Sequence, residues 1–375
     1  MARQITSNSG DVLSRQALNR ALLERQLLLR RSTLPMSKAI EHLVGLQAQT
    51  PHTWYVGLWT RLDGFRPEHV ADLLNKRKVV RTALMRSTIH LVTARDCRTL
   101  RPLVQSVIER STNGNFGRNL AGLNIHELVA AGRALVEERP RTFGELGKLL
   151  AERWPDRDAA SLAQAIRARV SLVQVPPRGI WGSSGPAAHT SAEAWLGRPL
   201  DPAPSLEKMI LRYLAAFGPA TVKDMQSWSG LTRLGEVTER LRPRLATFRD
   251  EHGTELFDLS DAPRPDPDTP APPRFLYDYD NLLLSHFDRT RVISDKYHQQ
   301  GFTMDGPMPS IVLVNGFTNG NWKITRQRGT ATLTIHPFAR LSRKDTAALT
   351  QEGAGLLAFA AAGASSHEIR FIPAR

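Results

Sequence analysis

The order of short amphipathic helices and short β-rich runs is the feature that most restricts the fold of this chain. Over the first 110 residues, three helical patterns precede two β-rich runs, and apolar residues recur in the helical patterns at the spacing of a helix face. The helical patterns cover 13–31, 36–49 and 66–77, and the β-rich runs are KVVRTALM and STIHLVTA, separated only by Arg86. Helices that lead into a short basic hairpin are typical of a winged helix.

The same order of elements recurs twice further along the chain. Residues 142–191 contain two helical patterns, a Gly/Pro-rich turn and a short run, AAHTS. Residues 205–259 contain three helical patterns and two short strands, and a Gly-Pro break places Thr221 where a helix N-cap is expected. We therefore predict an α+β protein with three tandem winged-helix motifs, over 12–110, 140–200 and 203–260.

The last third of the chain has a different pattern. The prolines concentrated in 261–274 predict an extended loop or linker. Three strand-rich stretches follow, and the last two predict a hairpin that turns at 327–329. The stretches are LLLSHFDRTRVIS, IVLVNGFTNGNWKITRQR and GTATLTIHPF, followed by a closing helix over 342–360. A fourth segment, 274–375, is therefore predicted to be a β-rich α/β structure.

The charge of the chain favours an acidic partner. The formal net charge is +14, and residues 1–110 hold 18 Lys or Arg against 8 Asp or Glu, which accounts for ten of the fourteen surplus charges. A basic surplus of this kind indicates binding to nucleic acid. A basic soluble enzyme that is simply rich in arginine is the alternative that charge alone leaves open.

Several classes of protein are disfavoured. No apolar run approaches the ~20 residues of a membrane helix, and the N-terminus, MARQITSNSGD, lacks a signal-peptide pattern, so we expect a cytoplasmic protein. The single cysteine, Cys97, excludes an intrachain disulfide framework. The sequence has no P-loop, H-E-x-x-H, C-x-x-C or G-x-S-x-G motif and no convincing metal-ligand spacing of histidines, so we expect neither a metal nor a cofactor.

Two glutamines, Gln47 and Gln49, stand at the end of an apolar run in GLQAQTP. Pro51 disfavours helical geometry at the residue before it, so we expect the helix to end near Gln49. Gln47 continues the buried stripe, where an unpaired amide would cost roughly 1–3 kcal/mol and therefore requires a partner. If the chain is extended after Ala48, both amides point the same way and can fix one water molecule. The alternative is that both glutamines only satisfy backbone groups at a helix end.

The glutamine pair and three further segments together resemble a known family. The segments are VVRTALMRSTIHLVTARD from Val79, DYDNLLLSHFDRTRVIS from Asp278 and VNGFTNGNWKI from Val314. In this order they resemble the HTH_42 winged-helix family, whose characterised bacterial members are DNA glycosylases of the AlkZ and YcaQ type. The resemblance implies excision of bulky alkylated purines and unhooking of interstrand crosslinks. We expect the three winged-helix motifs and the C-terminal segment 274–375 to form a C-shaped DNA-binding cleft. Gln47-Ala48-Gln49 matches the Gln-x-Gln branch of the family, which implies a role in antibiotic self-resistance.

Base excision breaks an N-glycosidic bond through an oxocarbenium-like sugar, which commonly needs a carboxylate and a general acid. The QAQ segment supplies neither. An N7-alkylated purine, however, is already cationic and leaves as a neutral base, so no acid is needed. We expect a metal-independent glycosylase, and a monofunctional one because no obvious lysine nucleophile lies by the motif. We also expect it to act as a monomer on double-stranded DNA in the cytoplasm, at the nucleoid. In this prediction Gln49 orients the attacking water and Gln47 supports it.

Five further residues are candidates for DNA contact. They are Arg86, His90, Lys323, Arg326 and Arg328. The first two alternate with Thr88, which places them on one face of a strand; the alternative is a surface arginine and a packed histidine. The other three make the predicted C-terminal hairpin basic at its tip, and the resemblance implies that this hairpin reaches into a DNA groove. Charge alone fits a solvated hairpin end nearly as well.

Two other groups of residues are expected to be structural. His286 and Asp288 alternate in the segment SHFD, and we expect a hydrogen-bonded pair rather than a catalytic one. Trp54, Tyr55 and Trp59 closely follow the glutamine pair, and aromatic residues at this spacing are expected in the core.

Two functions without catalysis remain open at the level of sequence. A winged-helix transcriptional regulator would also have a basic surface, because a fold does not establish a function. A protein that binds lesions without cutting them is the second. A regulator would show a preferred operator and would not need the glutamine pair.

Overall fold

The structure is a computed structural model that describes residues 10–294, Tyr297 and 309–373. The first nine residues, on which the expectation of no export signal rests, lie outside the described part. The fold is mixed α+β, with three separate sheets and no barrel among the described residues. Within the same residues, none of the helices combines the length and hydropathy needed to cross a membrane.

The first segment carries the predicted helices and the predicted hairpin. Its elements are β1 (Val12–Leu13), α1 (Arg15–Arg25), α2 (Met36–His42), β2 (Leu46–Gln47), α3 (Thr53–Trp59), α4 (Pro67–Asn75), β3 (Val79–Ala83), β4 (Ile89–Thr93), α5 (Ala94–Leu100) and α6 (Gln105–Phe116). Strands β3 and β4 pair antiparallel, as the two β-rich runs predict. Arg86 lies in the single helical turn that joins these strands.

The helix predicted to end near Gln49 ends at His42, so that prediction is wrong. Val44 and Gly45 both have positive φ angles, and a Cβ on Gly45 would lie only 2.5 Å from a side-chain carbon of Val92. A left-handed glycine after a helix is a common terminator, because other residues are strained there. The chain therefore leaves the helix early, and Gln47 lies in the short strand β2, which pairs with β4.

The second segment continues the sheet of the first. Its elements are α7 (Ile125–Glu138), α8 (Phe143–Arg153), α9 (Ala159–Arg169), β5 (Leu172–Gln174), β6 (His189–Ser191) and α10 (Ala192–Leu196). Strand β5 pairs with β3, which gives a five-stranded sheet in the order β2-β4-β3-β5-β6. The hairpins of the first two predicted motifs therefore lie in one sheet.

The third segment begins its second helix where the sequence places the cap. Its elements are α11 (Leu206–Phe217), α12 (Val222–Ser229), α13 (Leu234–Leu241), β7 (Ala246–Asp250) and β8 (Glu255–Asp258). Thr221 is the N-cap of α12 and forms a capping box with Asp224, which confirms the prediction. Strand β1, from the start of the chain, pairs with β7, so this small sheet also joins two segments.

The C-terminal segment contains a second five-stranded sheet. Its elements are β9 (Arg274–Leu276), α14 (Asn281–Leu284), β10 (Ile311–Val314), β11 (Phe317–Gln327), β12 (Thr330–Pro337), α15 (Arg343–Ala360) and β13 (Ser366–Phe371). The predicted hairpin is confirmed: Gln327 pairs with Thr330 across a turn in which Arg328 and Gly329 have positive φ angles. The prediction of strand in LLLSHFDRTRVIS is wrong, because this stretch forms α14 and turns.

The proline-rich stretch is not a free linker. Its backbone carbonyls accept hydrogen bonds from side chains of α1: Arg20 binds Thr269 at 2.6 Å and Gln16 binds Pro267 at 2.9 Å. The stretch therefore runs along α1 and holds the third segment and the C-terminal segment against it.

Candidate active site

Gln47 is fixed in the interior, on strand β2. Its side chain is 3% exposed, and its Oε1 accepts a hydrogen bond of 2.7 Å from a guanidinium nitrogen of Arg86. Its backbone carbonyl accepts a second bond, of 2.9 Å, from the hydroxyl of Tyr277 in the C-terminal segment. The buried amide oxygen thus has the partner that burial requires.

Gln49 has different surroundings. Its side chain is exposed, and its Oε1 accepts a hydrogen bond of 3.2 Å from the backbone N–H of Ile89 on β4. Gln49 therefore satisfies a strand N–H rather than the end of a helix. The side chain of Gln47 is therefore buried and bonded, whereas that of Gln49 is exposed.

Arg86 occupies a turn and not a strand, so it does not share a strand face with Thr88 and His90 as predicted. Its φ is 54°, and its guanidinium donates to Gln47 and to the backbone carbonyl of Trp228 on α12. Burial, with the nearby charge of Arg289, lowers the pKa of Arg86 to about 10, so the group remains protonated at neutral pH. Arg86 thus connects the glutamine pair to the third segment.

His90 is packed beneath the pair. It lies opposite Gln47 in the pairing of β2 with β4, is 1% exposed, and has its Nδ1 3.0 Å from the carbonyl of Thr88. Burial, followed by the charge of Arg86, lowers the pKa of His90 to about 3. The imidazole is therefore neutral near pH 7, as a packed histidine would be.

The residues from the end of β9 to the first residue of α14 contact the segment that contains the glutamine pair. Besides the Tyr277 hydroxyl, Asp278 accepts a hydrogen bond of 2.5 Å from the Thr50 hydroxyl, and the Asn281 side chain donates to the Gly45 carbonyl at 2.7 Å. Asp278 and Asn281 belong to a segment that carries the resemblance, whereas Tyr277 lies just before it and was not a candidate. All three are more than 200 positions from Gln47, and no local pattern in the sequence indicates that they contact its segment.

His286 and Asp288 do not form the predicted pair. The buried His286 ring contacts the Ser285 hydroxyl at 2.9 Å and the Phe217 carbonyl at 3.1 Å, while Asp288 accepts the backbone N–H of Thr290. Burial lowers the pKa of His286, and the charge of Asp224 opposes that shift. The histidine is structural, as expected, but with other partners.

None of the described hydrogen bonds joins the basic hairpin to the glutamines. Lys323, Arg326 and Arg328 are all exposed, and Arg326 donates to the carbonyl of Ala360 at the C-terminal end of α15. A cavity of about 700 Å³ adjoins the hairpin turn. Its lining includes the rings of His52, Trp181 and Phe359, together with residues of the turn.

The three aromatic residues after the pair are mainly core residues. Trp54 and Tyr55 are fully buried, and Trp59 is half-buried against Arg31 and Phe359. The described residues contain no group of three or more His, Cys, Asp or Glu side chains arranged to hold a metal ion.

Comparison with known proteins gives the class of protein to which this site belongs. Residues 40–359 match the model of a family described as DNA glycosylase AlkZ-like, and the chain therefore belongs to the AlkZ-like DNA glycosylases. Among solved structures, the Streptomyces sahachiroi DNA glycosylase AlkZ is similar over 96% of this chain and 100% of that chain, with a TM-score of 0.78 and 21% sequence identity. That likeness shows a shared fold. No curated protein matches the chain.

Proposed function

We propose that the protein is a monofunctional, metal-independent DNA glycosylase that hydrolyses the N-glycosidic bond of bulky N7-alkylated purines. The observation that carries this proposal is the arrangement of the pair: Gln47 is held by Arg86, and Gln49 is exposed beside it. An amide both donates and accepts hydrogen bonds, so Gln49 can orient a water molecule, with Gln47 as its fixed support. Membership of a DNA glycosylase family supports the reaction type.

The substrate preference follows from what the pair lacks. Neither amide can protonate a leaving group, and the neighbouring His90 is neutral near pH 7. An N7-alkylated purine needs no such proton, because it leaves as a neutral base. The enzyme then has to position water and sugar, which supplies a large part of the rate enhancement in reactions of this kind.

Binding to DNA is proposed to rest on the basic surface. The charge of +14 provides affinity that depends on salt and little on sequence. We propose three winged-helix motifs and the C-terminal segment as the walls of a C-shaped cleft, with Lys323, Arg326 and Arg328 in a groove beside the lesion. An open cleft suits crosslinked DNA, because a base tethered to both strands cannot be flipped fully. The protein is further proposed to act as a monomer at the nucleoid, in self-resistance to a genotoxin or in base excision repair.

The contacts of Arg86 and His90 suggest roles inside the site. The guanidinium of Arg86 donates hydrogen bonds to Gln47 and to the carbonyl of Trp228, which supports a positioning role more than a phosphate contact. His90 packs behind the pair and orders it.

The test is base release from a duplex that carries one site-specific N7-alkylguanine, measured as strand breaks after alkaline treatment. Wild type is expected to produce breaks, and Gln49→Ala is expected to produce almost none while it still binds the duplex. The matched control is Gln351→Ala, which removes an exposed glutamine from α15. Duplex binding without breaks from wild type would contradict the proposal and favour a regulator or a lesion-binding protein, which a preferred operator sequence would then distinguish.

A further inference from the structure

Two carboxylates, Asp278 and Asp280, follow Tyr277 in the chain, and their surroundings differ. Asp280 is fully buried and binds the guanidinium of Arg61 through both oxygens, at 2.6 and 2.8 Å. It also accepts the backbone N–H of Leu282 at the start of α14. Asp278 forms no ion pair with any residue that the structure describes. Asp280 is therefore a structural group, whereas Asp278 has no counter-charge among the described residues.

Asp278 is held beside the glutamine pair. Its Oδ2 accepts the hydroxyl of Thr50, the residue that follows Gln49, at 2.5 Å. The residue before it, Tyr277, donates to the carbonyl of Gln47. Gln47 and Thr50, at the two ends of this short segment, therefore both bond to Tyr277 and Asp278, and these bonds fix the position of the Asp278 carboxylate.

The second oxygen of Asp278 has no partner within the described residues. Oδ1 is buried, yet no donor of the protein reaches it. A buried polar atom without a partner costs about 1–3 kcal/mol, and more when it is charged. Such groups call for an explanation in each case, and catalytic roles are among the common ones.

We propose that Asp278 is the general base of the glycosylase reaction, an inference that rests on the function proposed above. The two glutamines can orient water, but an amide does not act as a general base, whereas a carboxylate does. The sequence places no carboxylate in the QAQ segment, and the fold brings one there from the C-terminal segment.

The step balances without any further reactant. The water oxygen forms a bond to C1′ of the sugar as the bond from C1′ to N9 breaks. The electron pair of the broken bond goes to N9 and neutralises the cationic base. The proton that the water loses goes to Oδ1 of Asp278, and the negative charge of the carboxylate also favours the cationic sugar before the new bond is complete.

The first test is Asp278→Asn, which preserves shape and leaves an amide oxygen to accept the Thr50 hydroxyl. The single-turnover rate of N7-alkylguanine release is expected to fall by about 10²-fold or more, as for loss of a general base. Affinity for the same duplex is expected to be unchanged, because the lost charge does not contact phosphate. Asp63→Asn, at an exposed turn, is the matched control and is expected to keep the wild-type rate.

The second test distinguishes chemistry from structure. In Asp278→Ala, added sodium formate is expected to restore part of the rate, since a small carboxylate can occupy the vacated space and take the proton. Sodium chloride at equal ionic strength is the reference, because duplex binding depends on salt. Formate is expected to have no effect on Gln49→Ala.

Each outcome decides the assignment. Wild-type release with an undiminished Asp278→Asn rate overturns the inference and leaves the proposed function standing. If Asp278→Asn loses rate but formate does not rescue Asp278→Ala, Asp278 has a structural role and the inference is overturned. Loss of duplex binding in both variants leads to the same conclusion. No release by wild type overturns the inference together with the proposed function.

Discussion

At the scale of the residue, the proposed site depends on two glutamines that differ in burial. Gln47 has a buried amide that is bonded to Arg86. Gln49 has an exposed amide whose one described hydrogen bond is to the N–H of Ile89, the first residue of β4. A rigid support beside an accessible group is the arrangement that positioning a water molecule requires. The Gln-x-Gln spacing is visible in the sequence, but the difference in burial is not.

Arg86→Lys tests the support. Lysine keeps the charge but loses the planar fork that reaches both Gln47 and Trp228. We expect the rate of base release to fall by about 10²-fold, because a loosely held Gln47 misplaces the water. We also expect the free energy of unfolding to fall by about 1–3 kcal/mol, because two buried acceptors lose a donor. Single-turnover kinetics and urea unfolding measure the two effects.

The matched control is Arg66→Lys, at an exposed position before α4. A wild-type rate of base release with weakened duplex binding in Arg86→Lys would contradict the positioning role. It would instead support the phosphate contact that the sequence predicted.

At the scale of the element, local signals predicted what local interactions determine. Thr221 caps α12, and the turn at 328–329 closes the β11–β12 hairpin, because capping and turn chemistry act over a few residues. The early end of α2 was missed because helical periodicity continues past the left-handed Gly45. The strand predicted around His286 is wrong, and the ring there contacts the carbonyl of the distant Phe217, which no local pattern indicates.

Two buried histidines in the shared five-stranded sheet are expected to make the stability of the protein depend on pH. His90 on β4 and His189 on β6 are both buried, and burial lowers their pKa values to about 3 and about 4. In the unfolded chain each has a pKa of about 6.5, so below that pH the unfolded state binds protons that the folded state does not. Stability is therefore complete above about pH 6.5 and is lost as the pH falls, by up to about 1.4 kcal/mol per pH unit for each histidine.

Urea unfolding at pH 7.5 and pH 5 measures this loss. His90→Gln is expected to reduce the difference between the two pH values relative to wild type, and the same replacement at the exposed His69 is expected to leave it unchanged. If wild type and His90→Gln show the same pH dependence, His90 does not contribute to it.

At the scale of the whole molecule, segments distant in sequence are joined by sheets and by buried ion pairs. Strand β1 extends the sheet of the third segment, β5 extends that of the first, and Asp280 binds Arg61 in the interior. The proposed site forms where the C-terminal segment contacts the QAQ segment. Such contacts could not be predicted from one sequence, since Thr50 and Asp278 are separated by 228 positions.

Asp280→Asn tests this joining. The variant leaves the Arg61 guanidinium buried without its counter-charge, so the free energy of unfolding is expected to fall by about 3–5 kcal/mol. Asp72→Asn removes one partner of an exposed pair with Lys76 and is expected to cost less than about 0.5 kcal/mol. Chemical unfolding measures the free energy of unfolding of both variants. Equal losses of that free energy would show that the buried pair stabilises the protein no more than the exposed one.

The central claim is that a water-positioning pair without a leaving-group acid restricts the enzyme to cationic bases. The most direct measurement compares single-turnover base release from two duplexes of one sequence, one with an N7-alkylguanine and one with an O6-alkylguanine, which carries no positive charge. We predict release of the N7-alkylated base alone, and its loss in Gln49→Ala. Comparable release of the uncharged base by wild type would contradict the account.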